Sequence, residues 1–358
     1  MSDIQRFGNH LIIGIAGTKL NDEDKRLLSD LKPVGIVFYG KNFLHDTDYE
    51  TWLHSFGELI KGIRQYTERE RMLLSIDHEG GRVIRPPAPI TRFPDAFSQG
   101  AKGRQVAQAM AVELKSLGIN VSWSPVADIF SNPDNPIIGS RAFSNNAESA
   151  AEYAIECYKG LQEAGIIACA KHFPGHGDTS KDSHLELPVL HLTEEELWQR
   201  ELIPFQKLIQ QQIPMVMTAH ILFPKIDAEV PATLSQKILT GILREKLGFT
   251  GVIVSDDLDM AAVARMYSNS GTVAKTLNAG CDLLMVSRNL PASSPERIYQ
   301  IGRDFAESLN QGSLQESVVV AAQERIENLL QQTPQYRVVF LDADVLQYHS
   351  ELAIACSQ

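Results

Sequence analysis

The stretch IIACAKHFPGHGDTSKDSH, residues 166–184, changes character at Lys171. Its first five residues form a continuous apolar run, as a strand buried on both faces must. From Lys171 onward it holds three histidines, two aspartates, two lysines and two glycines. That run is too Gly-rich and too polar for a helix, so it reads as a loop. A buried strand that ends abruptly in a polar loop is one unit of a parallel α/β sheet.

The unit repeats along the chain. Apolar runs of strand length occur at 10–17 (HLIIGIAG), 34–39 (VGIVFY), 72–77 (MLLSID) and 120–125 (NVSWSP). Four more lie at 166–171 (IIACAK), 214–220 (PMVMTAH), 251–256 (GVIVSD) and 281–287 (CDLLMVS). Between them lie amphipathic stretches such as TDYETWLHSFGELIKGIRQY and AESAAEYAIECYKGLQEAG. Another, TEEELWQRELIPFQKLIQQ, opens with a capping box formed by Thr193 and Glu196. Eight strand–helix repeats with no Pro- or Ser-rich linker predict a single-domain (β/α)8 barrel of the TIM type over residues 1–333. No G-x-G-x-x-G follows the first strand to support a dinucleotide fold. Residues 334–358 are expected to form a C-terminal extension outside the barrel, with room for one more strand and a short helix.

Composition narrows the function classes. The chain has 358 residues, 44% of them hydrophobic and 22% charged, which suits a globular protein with a large core. A net charge of −11 argues against binding nucleic acid or anionic lipid. The four cysteines are scattered without paired spacing, so neither a disulfide framework nor a zinc site is expected. The N-terminal residues lack a signal-peptide pattern, and no apolar run reaches the length of a membrane span. The expectation is a cytoplasmic protein acting on a small molecule, with no membrane, nucleic-acid or obligate protein partner.

In a barrel of this kind the chemistry collects where strands end. Asp77 ends the third strand, Lys171 and His172 the fifth, His220 the sixth, and Asp256 the seventh, with Asp257 and Asp259 just after. Arg141 lies in the long loop after the fourth. A catalytic metal held by His172, His220 and Asp256 is one reading. The loop after the first strand, however, offers no early ligand pair, and Pro174 and Gly175 break any helical pairing of His172 with His176. An acid–base reading fits better. Asp182 and His184, two residues apart, allow the carboxylate to accept the imidazole N–H and leave the other nitrogen for substrate. Asp256, delivered by an apolar strand, then faces them as a candidate nucleophile, the arrangement of a two-step glycosidase. Asp77, Arg82, Arg85, Arg141, Lys171 and His172 would hold the sugar. Because Arg82 and Arg85 differ by three, at most one is expected to face the pocket. Residues 174–184, with no large apolar anchor, are expected to be a mobile loop that closes over substrate.

Three segments together, IDHEGGRVIR, KHFPGHGDTSKDSH and VIVSDDLDM, resemble the family-three glycoside hydrolases. Within them the chain is similar to the bacterial β-N-acetylhexosaminidases (β-N-acetylglucosaminidases) of peptidoglycan recycling, from about residue 10 to 330. The resemblance implies that Asp256 is the nucleophile and that Asp182 and His184 form the acid/base dyad. It implies substrate binding by Asp77, Arg85, Arg141, Lys171 and His172, and no metal or organic cofactor. It further implies cytoplasmic removal of terminal GlcNAc from 1,6-anhydro-N-acetylmuramoyl peptides. His78 departs from the pattern, where relatives often have Gln, and the tail past 334 has no match. Three readings compete with a retaining hydrolase: a metal-dependent hydrolase, a GlcNAc phosphorylase, and a non-catalytic sugar-binding protein.

Overall fold

A computed structural model describes residues 3–180, 187–290 and 293–356. Among them, eight parallel strands close into a barrel in the order β1 to β8. These are β1 (Leu11–Gly14), β2 (Gly35–Phe38), β3 (Leu73–Ile76), β4 (Val121–Ser122), β5 (Ile167–Phe173), β6 (Met215–Thr218), β7 (Val252–Asp257) and β8 (Leu283–Val286). Each sequence run of strand length overlaps one of them, β5 and β7 running past theirs by two residues and one, so the (β/α)8 expectation holds. Helices alternate with the strands: α1 (Asp22–Leu31), α2 (Tyr49–Thr67), α3 (Gly103–Ser116), α4 (Ala147–Glu163), α5 (Ile203–Gln210), α6 (Lys237–Lys246, wound as a π-helix), α7 (Thr272–Asn278) and α8 (Pro295–Asn310).

Local chemistry sets several helix starts. Asn21 caps α1 in a reciprocal box with Asp24, and Asp48 and Asn146 cap α2 and α4. Thr193 and Glu196 form the expected capping box at the start of a short helix, Glu194–Gln199, ahead of α5. The sheet is buried on both faces, as its unbroken apolar runs require. Ile12, Val37, Leu73, Trp123, Met215 and Leu283 fill the barrel interior as one cluster, joined by Ile326 and Leu329 of α9 (Glu316–Gln332). The outer sheet face and the surrounding helices share a second, larger cluster.

Strand β4 is shorter than its apolar run. Pro125 has no N–H to give the ladder. Beyond β4 the pairing with β5 continues irregularly, with Cys169 N–H donating to Ser124 O and Lys171 N–H to Pro125 O.

Two register shifts fall at the rim of the barrel. On β5, Ala170 pairs with Val216 and Phe173 with Thr218, so β5 has one more residue than β6 across that interval. On β7, Val254 pairs with Leu283 and Asp257 with Met285, again one residue in excess. Both bulges lie at the C-terminal ends of their strands, where bulges re-aim side chains.

After α9, Val338 forms a single antiparallel bridge with Leu117. Helix α10 (Ala343–Cys356) then packs its Ala353 and Cys356 against Phe93, Val106 and Met110.

Candidate active site

The C-terminal rim surrounds a cavity of about 390 Å³. Asp77, Arg82, Arg85, Arg141, Lys171, His172 and Asp256 all line it, joined by Tyr39, His176, Asp257 and the side chains of Met217 and Met285. Asp182 and His184 lie outside the described residues.

The bulges explain an oddity of this lining. Consecutive residues of a regular strand point to opposite faces, yet Lys171 and His172 both reach the cavity, as do Asp256 and Asp257. In each pair a residue falls within the interval of excess length on β5 or β7. One extra residue breaks the alternation and turns two neighbours toward one space.

On the β3 and β5 side stands a network of buried charges. Lys171 Nζ donates to Asp77 Oδ1 at 2.7 Å and contacts Glu79 Oε1 at 2.6 Å. Arg141 forks onto the same Glu79, Nε to Oε2 at 2.8 Å and Nη2 to Oε1 at 2.9 Å. Arg85 Nη2 reaches Asp77 Oδ2 at 3.4 Å, and its guanidinium lies over the Tyr39 ring at 5.6 Å. Burial alone would push both carboxylates up. Lys171 and Arg85 outweigh it at Asp77, and Arg141 and Lys171 outweigh it at Glu79, so both sit below the ordinary carboxylate range. Burial likewise pulls Lys171 down, but Asp77 and Glu79 more than compensate and hold it protonated. The result is a wall of fixed charges whose remaining N–H and oxygen positions suit the hydroxyl and amide groups of a sugar.

His172 is oriented from behind. Its Nδ1 lies 2.6 Å from Asp128 Oδ2, which leaves Nε2 as its other polar atom. Asp128 also accepts the backbone N–H of His172 at 3.2 Å and of His176 at 2.7 Å. Burial would raise Asp128, but His172 and His176 hold it low. His176, lowered to about 4 by burial and by His172, is neutral near pH 7 and takes part in a 2.9 Å contact with Thr179 Oγ1.

Opposite β3 in the ring of strands stands β7 with Asp256. Asp256 Oδ1 accepts the N–H of Asp257 at 2.8 Å. Asp257 itself is tied down: its Oδ1 accepts from Ser287 N at 2.9 Å and Asp259 N at 3.1 Å, and Ser287 Oγ bonds Oδ2. Burial, then Asp259, pushes Asp257 up to about 7. Of the two carboxylates, Asp256 is the more exposed and Asp257 the one that joins β7 to β8.

Two details differ from the sequence reading. Both Arg82 and Arg85 line the cavity, because the chain reverses at Gly80 and Gly81, both at positive φ, and no regular period relates the two arginines. Arg82 bonds the carbonyls of Pro136 and Ile137 on the β4 loop. Within the loop expected to be mobile, residues 174–180 are bonded to the β4 loop. Asn135 Nδ2 donates to His176 O and Gly177 O at 2.8 and 2.9 Å, and Thr179 is buried. Residues 181–184 of that loop lie outside the described residues. His220 is withdrawn from the cavity, fully buried against Thr233 Oγ1 and the Asp257 carbonyl. Among the described residues no group of three or more His, Cys, Asp or Glu side chains is placed to hold a metal ion.

Sequence reasoning missed Glu79, Asp128 and Tyr39. Glu79 had a legible signal, since it stands two residues beyond Asp77 in the same polar turn. Asp128 follows the fourth apolar run after a proline and was hidden by it.

Comparisons with known proteins identify the family. The chain is 36% identical over 289 residues to a β-hexosaminidase of Thioalkalivibrio sulfidiphilus, covering 77% of this chain and 80% of that protein. Its fold matches a glycoside hydrolase family 3 β-N-acetylglucosaminidase from Paenibacillus sp. with a TM-score of 0.88 and 32% identity, over 99% of this chain and 68% of the other. It also matches NagZ from Neisseria gonorrhoeae, solved in complex with N-trifluoroacetyl-D-glucosamine, with a TM-score of 0.74 and 28% identity over 98% of both chains. The family model described as the glycosyl hydrolase family 3 N-terminal domain matches residues 6–329, which take in every strand of the barrel and every residue of the cavity. The chain therefore belongs to glycosyl hydrolase family 3 and is a glycoside hydrolase.

Proposed function

We propose that the protein is a retaining exo-β-N-acetylglucosaminidase. Its substrates would be peptidoglycan fragments, GlcNAc-1,6-anhydro-MurNAc and its peptides, met in the cytoplasm. The observation that carries this reading is the position of Asp256, set by the β7 bulge into a cavity whose far wall is the Asp77–Lys171–Glu79–Arg141 network. The family and the names of its relatives supply the sugar class. The nearness of the chain to a NagZ solved with an N-acylated glucosamine favours N-acetylglucosamine over an unmodified hexose. No helix among the described residues is long and apolar enough to cross a membrane.

In this mechanism an Asp256 oxygen attacks the anomeric carbon as the bond to the leaving oxygen breaks. His184, oriented by Asp182, gives that oxygen its proton. In the second step water attacks the glycosyl–Asp256 ester, His184 takes the water's proton, and the sugar leaves with its original β configuration. Asp77, Arg85, Arg141, Lys171 and His172 hold the sugar through both steps. Nucleophile and acid/base are side chains of the chain itself, so the reaction as written uses no metal or organic cofactor.

Proton NMR during hydrolysis of a chromogenic GlcNAc β-glycoside tests the reading. The β anomer of GlcNAc should appear first and the α anomer only by later mutarotation. An α anomer formed first would rule out the covalent route, and GlcNAc 1-phosphate formed in phosphate buffer would point to a phosphorylase.

A further inference from the structure

Helix α10 lies beyond the matched family segment, yet it is joined to the turn that carries Glu79 by two separate routes. The first is polar and buried. His349 Nδ1 lies 2.8 Å from Glu113 Oε1. Glu113, on α3 and fully buried, also accepts Thr91 Oγ1 at 2.5 Å and Thr91 N at 3.1 Å. Thr91 belongs to the long segment between β3 and α3, which also contains Asp77, Glu79 and Arg85. The second route is apolar. Ala353 and Cys356, with Leu352 beside them, pack on Phe93. The carbonyl of Phe93 accepts the N–H of Gly81 at 2.9 Å, two residues from Glu79. Gln99 closes the same turn, giving its amide to Glu79 O at 3.2 Å and Pro94 O at 2.9 Å.

The turn is tightly fitted. A Cβ on Gly80 would come within 2.2 Å of the Pro94 carbonyl, so residues 79–81 cannot move without moving 93–95. His78 does not contribute a hydrogen bond to the linkage, since neither of its ring nitrogens has a hydrogen-bond partner among the described residues.

We infer that His349 and Glu113 are positioning residues for substrate binding: through Thr91 and Phe93 they fix the Glu79 turn, and through Glu79 they fix Lys171 and Arg141. The C-terminal helix is thus part of the scaffold of the active site. A buried carboxylate that accepts three donors is rigid, because each partner lost leaves an acceptor unsatisfied. The inference rests on the proposed sugar-binding role of that network. It does not involve Asp256, which stands on β7 across the barrel.

The test uses the full chain with His349→Leu, which removes the donor and keeps apolar volume, and Thr91→Val, which breaks the link at its other end. His349→Asn, whose amide can donate from nearly the same place, serves as rescue. Two readouts are taken: amide hydrogen exchange by mass spectrometry, and KM and kcat for a chromogenic GlcNAc glycoside. Both disabling variants should speed exchange in peptides spanning 78–95 and leave those spanning 251–260 unchanged. Both should raise KM roughly 2- to 10-fold with kcat nearly constant, the size expected for one buried hydrogen bond. His349→Asn should restore both. Should His349→Leu fail to fold, Thr91→Val alone decides. Faster exchange confined to 343–356, or spread evenly over the chain, would overturn the inference, and so would faster exchange in 78–95 with KM unchanged. If the wild type hydrolyses no GlcNAc glycoside, the proposed function fails on its own, and the exchange pattern still decides whether α10 holds the turn.

Discussion

Removing the Glu79 carboxylate would leave two buried cations, Lys171 and Arg141, without the group that both of them contact. Losing one partner of a buried ion pair typically destabilises by about 3–5 kcal/mol, because the charge left behind keeps its desolvation penalty. Glu79→Ala should therefore lower the thermal midpoint clearly in scanning calorimetry, while Arg82→Ala, at an exposed arginine that bonds the carbonyls of Pro136 and Ile137, should change it little. Equal effects would mean that the network is not the stabilising unit its geometry suggests. Lys171→Ala should lower kcat/KM as well. A charge-assisted hydrogen bond is worth roughly 1.5–3 kcal/mol, or about 10- to 150-fold. A second buried carboxylate behaves differently. Glu201 bonds Arg200 beside the loop residue Asp178, and burial, outweighing Arg200, pushes it up to about 7 from an ordinary 4.5. The folded protein then keeps a proton that the unfolded chain gives up between those values, and the stability this confers is lost as pH rises through 7. The stability of the wild type minus that of Glu201→Gln should fall as pH is raised through neutrality, measured by urea unfolding at several pH values. A difference that does not vary with pH would place the Glu201 pKa near its ordinary value.

At the scale of elements, the strands were legible because fully buried parallel strands write themselves as apolar runs bounded by polar residues. GVIVSD and IIACAK each contain the apolar part of the strand and its first charged rim residue, Asp256 and Lys171. The bulges left no such trace. Nothing in AKHF or VSDD states that one more residue lies on β5 than on β6, or on β7 than on β8, because register depends on the partner strand. Lys171, His172 and Asp256 could therefore be read as rim residues without the reason that neighbours share a face. The Glu79 turn was illegible for a related reason. Its fixing groups, Phe93, Gln99 and Thr91, come from the segment between β3 and α3, whose path only the folded chain defines. Helix packing offers its own test. Gly160 of α4 lies so close to α3 that a Cβ would meet the Arg104 carbonyl at 2.4 Å and Ala107 Cβ at 2.8 Å. Gly160→Ala should wedge the two helices apart and destabilise the protein by about 1–3 kcal/mol, read as a fall in thermal midpoint. An unchanged or higher midpoint would show that the helices separate without strain.

For the whole molecule, the closed barrel gathers groups from β3, β5 and β7 and from the β4 loop into one cavity, although they lie far apart in sequence. The barrel also divides the work. One side carries the ion-paired wall that suits a sugar, and the other carries a single, more exposed carboxylate on β7. Asp257, the competing carboxylate beside it, is occupied in holding β7 to β8. The direct test of this division is to incubate the protein with a slow fluorinated N-acetylglucosaminide, digest it, and locate the added sugar by mass spectrometry. The peptide containing Asp256 should gain one sugar mass, with fragmentation placing it on that residue, and Asp256→Asn should gain none. A label on Asp257 or Asp259, or rapid turnover with no label on any residue, would contradict Asp256 as the nucleophile.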